Sequence, residues 1–291
     1  MKDWKDNFAV LILTNRRPNS VLTVKALKKH GYTGAWYLVV DDEDPTLDEY
    51  QTNYGSERVL IFDKKEWAKR VDAGDNFDKR NTVTYARNAA FEIARDVLQI
   101  DYFLELDDDY HEFRYRDVEG GPNAYPMVRD MNAIIALLLR FYQAVPAIKS
   151  LAIAQDGDYI GGRNSSYGRA VGLHRKVMNF WMKSTLPERA FKIVGRANDD
   201  VNTYVTGNLR GELFLTTSQL SLNQMDTQTK GGGLTGMYID LGTYVKSFYT
   251  VMYAPSCTHI VEIGHLHRRL HHQINWNACA PKIVRESLRK T

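Results

Sequence analysis

The feature that most constrains the fold is a series of short apolar runs, each of which stops abruptly at a polar loop. Residues 8–13 (FAVLIL) are followed by the polar residues 14–18, and residues 36–40 (WYLVV) by the acidic residues 41–44. A third run follows at 58–62. Strands that are apolar at every position are covered on both faces, which is typical of parallel sheets flanked by helices. The pattern predicts an α/β fold with a mostly parallel central sheet.

Helical spacing separates these runs. Between the first two strands, Asn19 or Ser20 can cap a helix that Gly31 ends. Residues 83–98 form a second predicted helix, with Arg87 and Asn88 at the rim of its apolar face.

The second half is less regular. We expect a long apolar helix at 127–145 and strands at 177–182 and 249–253.

Composition bounds the class of protein. The 291 residues are 44% hydrophobic and 25% charged, which suits one large globular domain, and no Pro/Ser-rich linker divides them. The net charge of +3 excludes a polycation, so an anionic partner must meet a local basic patch.

Location is predicted to be the cytoplasm. The charged first residues lack the apolar stretch of a secretory signal, and the longest apolar run, 133–139, is far shorter than the ~20 residues of a membrane span. Cys257 and Cys279 form no paired motif, in keeping with a reducing compartment.

Three carboxylates, Asp107, Asp108 and Asp109, follow the predicted strand 102–106. Ligands bind at the carboxyl ends of strands in open α/β sheets, and adjacent carboxylates tolerate one another when they share a cation. In an extended backbone Asp107 and Asp109 point the same way and Asp108 the other. The sequence thus predicts a metal site, with a solvated acidic turn as the alternative.

The chemistry of such a metal narrows the reaction. Mg²⁺ or Mn²⁺ on carboxylates takes its other ligands from phosphates and water, and neither Gly-rich loop, 161–166 or 230–236, follows the P-loop pattern. The ion would therefore stabilise a leaving diphosphate. That describes glycosyl or nucleotidyl transfer.

A family resemblance rests on four motifs in order. These are the strand that ends in Thr14-Asn15-Arg16, the strand that ends in Asp41-Asp42, the helix with Ala86-Arg87-Asn88-Ala89-Ala90, and the strand that ends in Asp107-Asp108-Asp109. Over residues 7–113 the chain resembles glycosyltransferases of the GT-A fold.

The resemblance implies roles for these residues. Donor contacts fall to Thr14, Asn15, Arg16, Asp41, Asp42, Arg87, Asn88 and Asp107, with Arg87 as a plain helix-surface residue in the alternative. The cluster Asp107 to Asp109 would be the DxD motif that holds ribose and metal.

A second acidic motif, Asn198-Asp199-Asp200, resembles the one that supplies the base in inverting GT-A enzymes. Asp200 is the first candidate and Asp199 the second, because a carboxylate near the bound donor can take the acceptor's proton. The alternative is a helix N-cap.

The C-terminal region is basic and rich in histidine. Residues 265–272 contain four of the eight histidines, and residues 265–291 carry six Lys or Arg against one Glu. His272 could complete the metal shell, and Arg268 could hold diphosphate or DNA phosphate. Alternatively, His271 and His272 stack under Trp276 and the tail is a solvated basic helix.

The order of these motifs is similar to that of base-J-type DNA glucosyltransferases and the TET-associated glycosyltransferases of phages. This implies transfer from a UDP-sugar, UDP-glucose first, to the hydroxymethyl group of 5-hydroxymethylcytosine or 5-hydroxymethyluracil in DNA, with Mn²⁺ or Mg²⁺. In a phage enzyme the location is the host cell cytoplasm. The single domain 1–291 would comprise a nucleotide-sugar half, 1–115, and an acceptor half, 116–291.

Acceptor binding is predicted for Arg163, Tyr167, His271 and Trp276. Basic residues around 163–176, interleaved with aromatic ones up to Trp181, could follow a DNA strand and stack an extruded base, unless the aromatic residues are core.

Three other functions compete. The acceptor could be a polysaccharide, glycolipid or protein, or the chain could be a non-catalytic DNA-binding module. A sugar nucleotidyltransferase is disfavoured because polar residues 14–18 stand where its Gly-rich phosphate loop would be.

Overall fold

A computed structural model describes residues 3–77, 79–116, 125–155, 180–224, 237, 242, 244–264 and 268–279. The strands are β1 (Phe8–Leu13), β2 (Trp36–Asp41), β3 (Val59–Phe62), β4 (Tyr102–Asp107), β5 (Tyr110–Tyr115), β6 (Ile148–Gln155), β7 (Phe180–Ser184), β8 (Leu213–Gln224), β9 (Thr258–Ile263) and β10 (Arg269–Ile274). The α-helices are α1 (Leu22–Lys29), α2 (Leu47–Tyr54), α3 (Lys64–Arg70), α4 (Thr84–Glu92), α5 (Met131–Ala144), α6 (Asp199–Leu209), α7 (Val245–Tyr253) and α8 (Trp276–Cys279). A π-helical turn, Ile93–Val97, continues α4.

Eight of the strands in the described ranges form one central sheet in the order β3-β2-β1-β4-β7-β6-β8-β5. Neighbours from β3 to β4 are parallel, as are β6 and β8, whereas β7 is antiparallel to both its neighbours and β5 to β8. Strands β9 and β10 form a separate antiparallel pair. The predicted α/β class with a mostly parallel central sheet is confirmed, and the sheet draws strands from both sides of residue 115.

Helices cover both faces of this sheet, which explains why β1 is apolar throughout. Val10 and Ile12 belong to a core cluster that includes residues of α1, α2 and α5. Ala9, Leu11 and Leu13 belong to another, with residues of α4. Alternate residues of one strand therefore enter opposite core layers.

The start of α1 differs from the prediction. Val21 occupies the cap position and no side chain caps the helix. The amide of Thr23 instead donates to the carbonyl of Asp108, at 3.2 Å. A backbone contact with the acidic turn thus does the work expected of Asn19 or Ser20.

The predicted strand at 249–253 is wrong, because these residues belong to α7. Ser247 and Thr250 are buried, whereas Phe248 and Met252, four residues apart, are about half exposed. A short apolar run fits a strand or a helix equally, and here one helical face packs while the other is open.

In the part of the chain described, none of the helices combines the length and the apolar character that crossing a membrane requires.

Candidate active site

The carboxyl ends of β2, β1 and β4 meet at one edge of the sheet. Thr14 follows β1, and its hydroxyl donates to the Asp108 carboxylate at 2.7 Å. Arg17 Nη1 lies 3.0 Å from the other oxygen of Asp108. The loop after β1 is therefore tied to the acidic turn that follows β4.

The loop after β1 also binds the acidic end of β2. The side-chain amide of Asn15 donates to Asp41 at 2.8 Å and to Asp44 at 3.1 Å. The backbone amide of Arg16, whose φ of 55° is left-handed, donates to Asp44 at 2.7 Å. The structure thus brings together the predicted donor residues Asn15, Arg16 and Asp41.

Two residues at this edge were missed from the sequence. Asp44 binds both Asn15 and Arg16, and its place in the acidic run 41–44 could have indicated it. Lys64, the first residue of α3, places Nζ 3.2 Å from Asp41, and its amide donates to Asp42 at 2.9 Å. Its position just past β3, at the same sheet edge, was the signal.

The three carboxylates of the acidic turn have different surroundings. Asp108 is buried against Thr14 and Arg17, and burial raises its pKa. Asp107 is a quarter exposed and lies 3.2 Å from Arg87 Nη2. Asp109 is half-buried, and burial, followed by the charges of Asp107 and Asp108, raises its pKa to about 7. Asp107, the last residue of β4, and Asp108, in the turn that follows, thus contact different partners.

Thr23, at the start of α1, clamps the acidic turn. Its hydroxyl donates to the carbonyl of Asp107 at 2.6 Å and accepts from the amide of Tyr110 at 3.0 Å. With the Thr23 amide on the Asp108 carbonyl, one buried residue fixes three backbone groups of the turn. The sequence carries no signal of this role.

Arg87 lies inside the protein and not at the rim of α4. It is 4% exposed, which excludes the helix-surface alternative. Nη1 is 3.1 Å from Glu105 and Nε is 2.9 Å from Asp199, although that N–H is not aligned for a hydrogen bond. Burial opposes the charge, but Asp107, Asp199 and Glu105 together raise the pKa of Arg87.

Asn88 is buried beside Arg87. Its side-chain amide exchanges hydrogen bonds with the backbone of Ile193, at 2.9 Å and 3.1 Å, and donates to the carbonyl of Thr84. Asn88 therefore holds the segment that leads to the second acidic motif.

A second cation completes this buried network. Lys183 Nζ lies 2.7 Å from Glu105, and neither side chain is exposed. Burial lowers the pKa of Lys183 to about 8, against the attraction of Glu105. Two cations, Arg87 and Lys183, therefore face the carboxylates of Glu105, Asp107 and Asp199. Burial raises the pKa of Asp199 to about 7, and the charges of Asp200 and Asp107 add to this, whereas the charge of Arg87 lowers it.

The second acidic motif begins α6. Asn198, at the cap position, has a left-handed φ of 53° and makes no side-chain cap bond. Asp199 is buried and Asp200 is half-buried. Arg87 spans the distance between the motifs, since it contacts both Asp107 and Asp199.

The described C-terminal residues contact α6 and the residue that precedes it. His272 lies beside Asn198, with Nδ1 3.1 Å from its amide nitrogen. The rings of His271 and His272 stack on each other at 4.3 Å, and Trp276 stacks on Tyr204 of α6 at 5.8 Å.

The remaining residues predicted to bind the acceptor or phosphate are Arg268, Arg163 and Tyr167. The side chain of Arg268 is 74% exposed and lies 3.4 Å from Glu262. Arg163 and Tyr167 lie outside the described residues, as does the basic end 280–291. Trp181 is fully buried and stacks on Phe191, so it belongs to the core.

The carboxylates at the carboxyl end of β4 are of the chemical type that binds a divalent cation. Among the residues described, no three His, Cys, Asp or Glu side chains are grouped closely enough to hold an ion by themselves. Carboxylates suit Mg²⁺ and Mn²⁺, which keep sites for phosphate and water. Burial and then the charges of Asp107 and Asp108 raise the pKa of Asp109, and a cation would offset both effects. Asp107 and Asp109 can therefore supply the protein's share of the ligands.

Comparison with protein families matches residues 8–233 to the TET-associated glycosyltransferases. The chain belongs to this family. The match includes both acidic motifs and all eight strands of the central sheet, and the enzyme is a glycosyltransferase.

Comparison with solved structures finds chains of partly similar structure. Glucosyl-3-phosphoglycerate synthase from Mycobacterium tuberculosis, in complex with Mg²⁺ and UDP, is 9% identical over 92% of this chain and 87% of that one, with a TM-score of 0.48. S. aureus TarS, residues 1–349 with UDP-GlcNAc, is 10% identical over 84% and 66% of the two chains, with a TM-score of 0.45. No curated protein sequence matches the chain. Membership of the family rests on the family match alone.

Proposed function

We propose that this TET-associated glycosyltransferase moves a sugar from a UDP-sugar, UDP-glucose first, to the hydroxymethyl group of a 5-hydroxymethylpyrimidine in DNA. Mn²⁺ or Mg²⁺ assists. The observation that carries the proposal is the convergence of the ends of β1, β2 and β4 on a carboxylate cluster that Arg87 joins to a second acidic motif. The family's name and the motif order support a modified base as acceptor.

In this proposal the loop after β1 and the end of β2 bind the nucleoside, through Asn15, Arg16, Asp41 and Asp42. The bonds that tie Asn15 and Arg16 to the end of β2 support a preformed site. Thr14 supports the site indirectly, because its hydroxyl donates a hydrogen bond to Asp108.

Asp107 and Asp109 hold the divalent cation. When bound, the ion supplies positive charge at the diphosphate as it leaves. Asp108 serves the site indirectly, because both its oxygens already bind Thr14 and Arg17.

Asp200 is the proposed base, ahead of Asp199. Asp199 is buried and paired with Arg87, whereas Asp200 is half-buried in the first turn of α6. Asp200 takes the proton of the acceptor hydroxyl, that oxygen forms the bond to the anomeric carbon, and the bond to UDP breaks. This route inverts the anomeric centre; in a retaining route Asp200 positions the acceptor.

The acceptor is proposed to contact residues of the second half. These are Arg163, Tyr167, His271 and Trp276. Arg268 is proposed to bind the diphosphate of the sugar donor or a phosphate of the DNA. DNA as acceptor implies a cytoplasmic reaction.

The proposal is tested by incubating the protein with Mn²⁺, pooled nucleotide sugars and DNA containing 5-hydroxymethylcytosine or 5-hydroxymethyluracil, then measuring nucleoside masses. Wild type and the surface control Asp96→Asn should add a sugar mass, whereas Asp109→Asn and Asp200→Asn should not. Asp96 is a matched control because it is an exposed acid that, among the residues described, pairs only with its neighbour Arg95.

Two results contradict the proposal. Release of UDP without a heavier nucleoside points to a polysaccharide, glycolipid or protein acceptor. Absence of both activities, with DNA binding retained, favours a non-catalytic module.

A further inference from the structure

Asn198 begins the turn that carries Asp199 and Asp200, and its backbone is in a left-handed conformation with a φ of 53°. This conformation is uncommon outside glycine, although Asn tolerates it better than most residues. A side chain that would ordinarily cap the helix is turned away from it, since no cap bond forms. Something outside the helix therefore has to hold the turn.

The side-chain amide of Asn198 is held by α7 and β10. Its nitrogen donates to the carbonyl of Lys246 at 2.9 Å, approaches the Thr250 hydroxyl at 3.2 Å, and lies 3.1 Å from Nδ1 of His272. These contacts join residues up to 74 positions apart in the chain.

The contact fixes how His272 is used. Because the Lys246 carbonyl can only accept, the atom of Asn198 that faces it is the amide nitrogen, which has two hydrogens. In the hydrogen bond between Asn198 and His272, Nδ1 is therefore the acceptor, and it shares the second hydrogen with the Thr250 hydroxyl. The ring of His271 stacks on that of His272 at 4.3 Å, and His271 Nδ1 is 2.6 Å from the His272 carbonyl. Both rings thus keep a fixed plane beside the turn.

We propose that His272 is a positioning residue, whose Nδ1 holds Asn198 and thereby sets the place of Asp200 at the acceptor. This rests on the proposed role of Asp200. It replaces the metal-ligand role that the sequence suggested for His272. The hairpin β9–β10 then contributes to the site through the hydrogen bond of His272 with Asn198.

Three substitutions of His272 separate the two roles. In His272→Asn the side-chain oxygen stands about where Nδ1 was, in His272→Gln an amide atom reaches the place of Nε2, and His272→Ala has neither. Since small misplacements of a catalytic group cost up to about 100-fold, we expect kcat to fall about 10- to 100-fold in the Ala and Gln variants. His272→Asn should restore most of the rate.

KM for the donor and the affinity for Mn²⁺, measured by titration in the presence of UDP, should stay unchanged in all three. If Mn²⁺ affinity falls in the Ala and Asn variants while the Gln variant retains it, His272 is a metal ligand and the inference is overturned.

Asn198→Gly is the partner variant, because glycine keeps the left-handed backbone and removes only the side chain. Combined with His272→Ala it should be no slower than the slower single variant. Multiplying effects on kcat would contradict the tether.

Two readouts separate this inference from the proposed acceptor. If wild type modifies no DNA, the proposed acceptor fails, and the same order of variants is sought in the hydrolysis of UDP-glucose, where water is the acceptor. Melting temperatures of wild type, both single variants and the double variant report the contact without any activity. The double variant should melt no lower than the less stable single one, and additive shifts would refute the tether.

Discussion

Replacing Lys183 by Met should destabilise the protein strongly, and replacing Glu105 by Gln as well should recover much of the loss. Lys183 and Glu105 are 2.7 Å apart and fully buried. At an effective dielectric constant of about 20, this separation corresponds to an attraction of about 6 kcal/mol. For the charged form of Lys183, burial outweighs this attraction, which is why the pKa of Lys183 falls to about 8.

The cost of the single change comes mainly from the carboxylate left behind. Removing one partner of a buried pair typically costs about 3–5 kcal/mol, and we expect the lower end because Arg87 remains 3.1 Å from Glu105. Met suits the site, since aromatic rings of Phe91, Trp181 and Phe191 surround the ammonium group.

Urea unfolding of wild type, both single variants and the double variant measures this directly. The expected coupling energy is at least about 1.5 kcal/mol, with m-values unchanged. A loss below about 1 kcal/mol in Lys183→Met, or a double variant equal to the sum of the singles, would refute the account of the buried network.

Three further changes follow from the same contacts. Thr23→Val removes the hydroxyl that binds Asp107 and Tyr110, so the free energy of unfolding should fall by about 1–3 kcal/mol. Thr23→Ser keeps the hydroxyl and should lose less. Equal losses of the two variants in urea titrations would contradict the role of Thr23 as a clamp. His30 is buried, with Nδ1 2.5 Å from the Val128 carbonyl and Nε2 3.2 Å from the Phe113 amide, and burial lowers its pKa. As the pH falls below 6.5, His30 therefore takes up a proton in the unfolded chain but not in the native state. The free energy of unfolding should then fall towards pH 5.5 by up to about 1.4 kcal/mol per pH unit, and this part of its pH dependence should vanish in His30→Gln. Asp200→Asn should lower kcat at least about 100-fold with a nearly native melting temperature, whereas Asp199→Asn should change stability more than Asp200→Asn does. A larger loss of kcat in Asp199→Asn than in Asp200→Asn would exchange their roles.

The parallel part of the sheet was predictable because burial on both faces leaves a direct mark on sequence. β1, β2 and β4 are apolar at nearly every position, and each ends in a polar cluster at the same edge. That the residues of the proposed donor site lie close together was predictable for the same reason, since the ends of neighbouring parallel strands meet at one edge.

The place of Arg87 was not predictable from helical spacing. A position at the rim of an apolar face is ordinarily open to solvent, but here α4 packs over strands that carry their own buried charges, Glu105 and Lys183. The sequence did offer one sign of a buried charge network, because Glu105 and Lys183 each lie within an otherwise largely apolar strand. Opposite charges in buried positions require partners, and the register of β4 with β7 brings these two within reach.

The contact between Asn198 and His272 left no trace in the sequence. It joins a turn to a strand far along the chain, and neither residue type requires the other. The stacking of Trp276 on Tyr204 is similar, since it depends on how the last helix packs on α6.

The central claim is that the edge formed by β1, β2 and β4 is the donor site, and calorimetric titration of UDP with and without Mn²⁺ tests it most directly. Wild type and Asp96→Asn should bind UDP much more tightly with Mn²⁺ than without it. Asp109→Asn should lose at least about tenfold of that gain, since even residues behind a metal's ligands cost 10- to 100-fold in affinity. Equal Mn²⁺-dependent binding of UDP by wild type and Asp109→Asn would contradict the account.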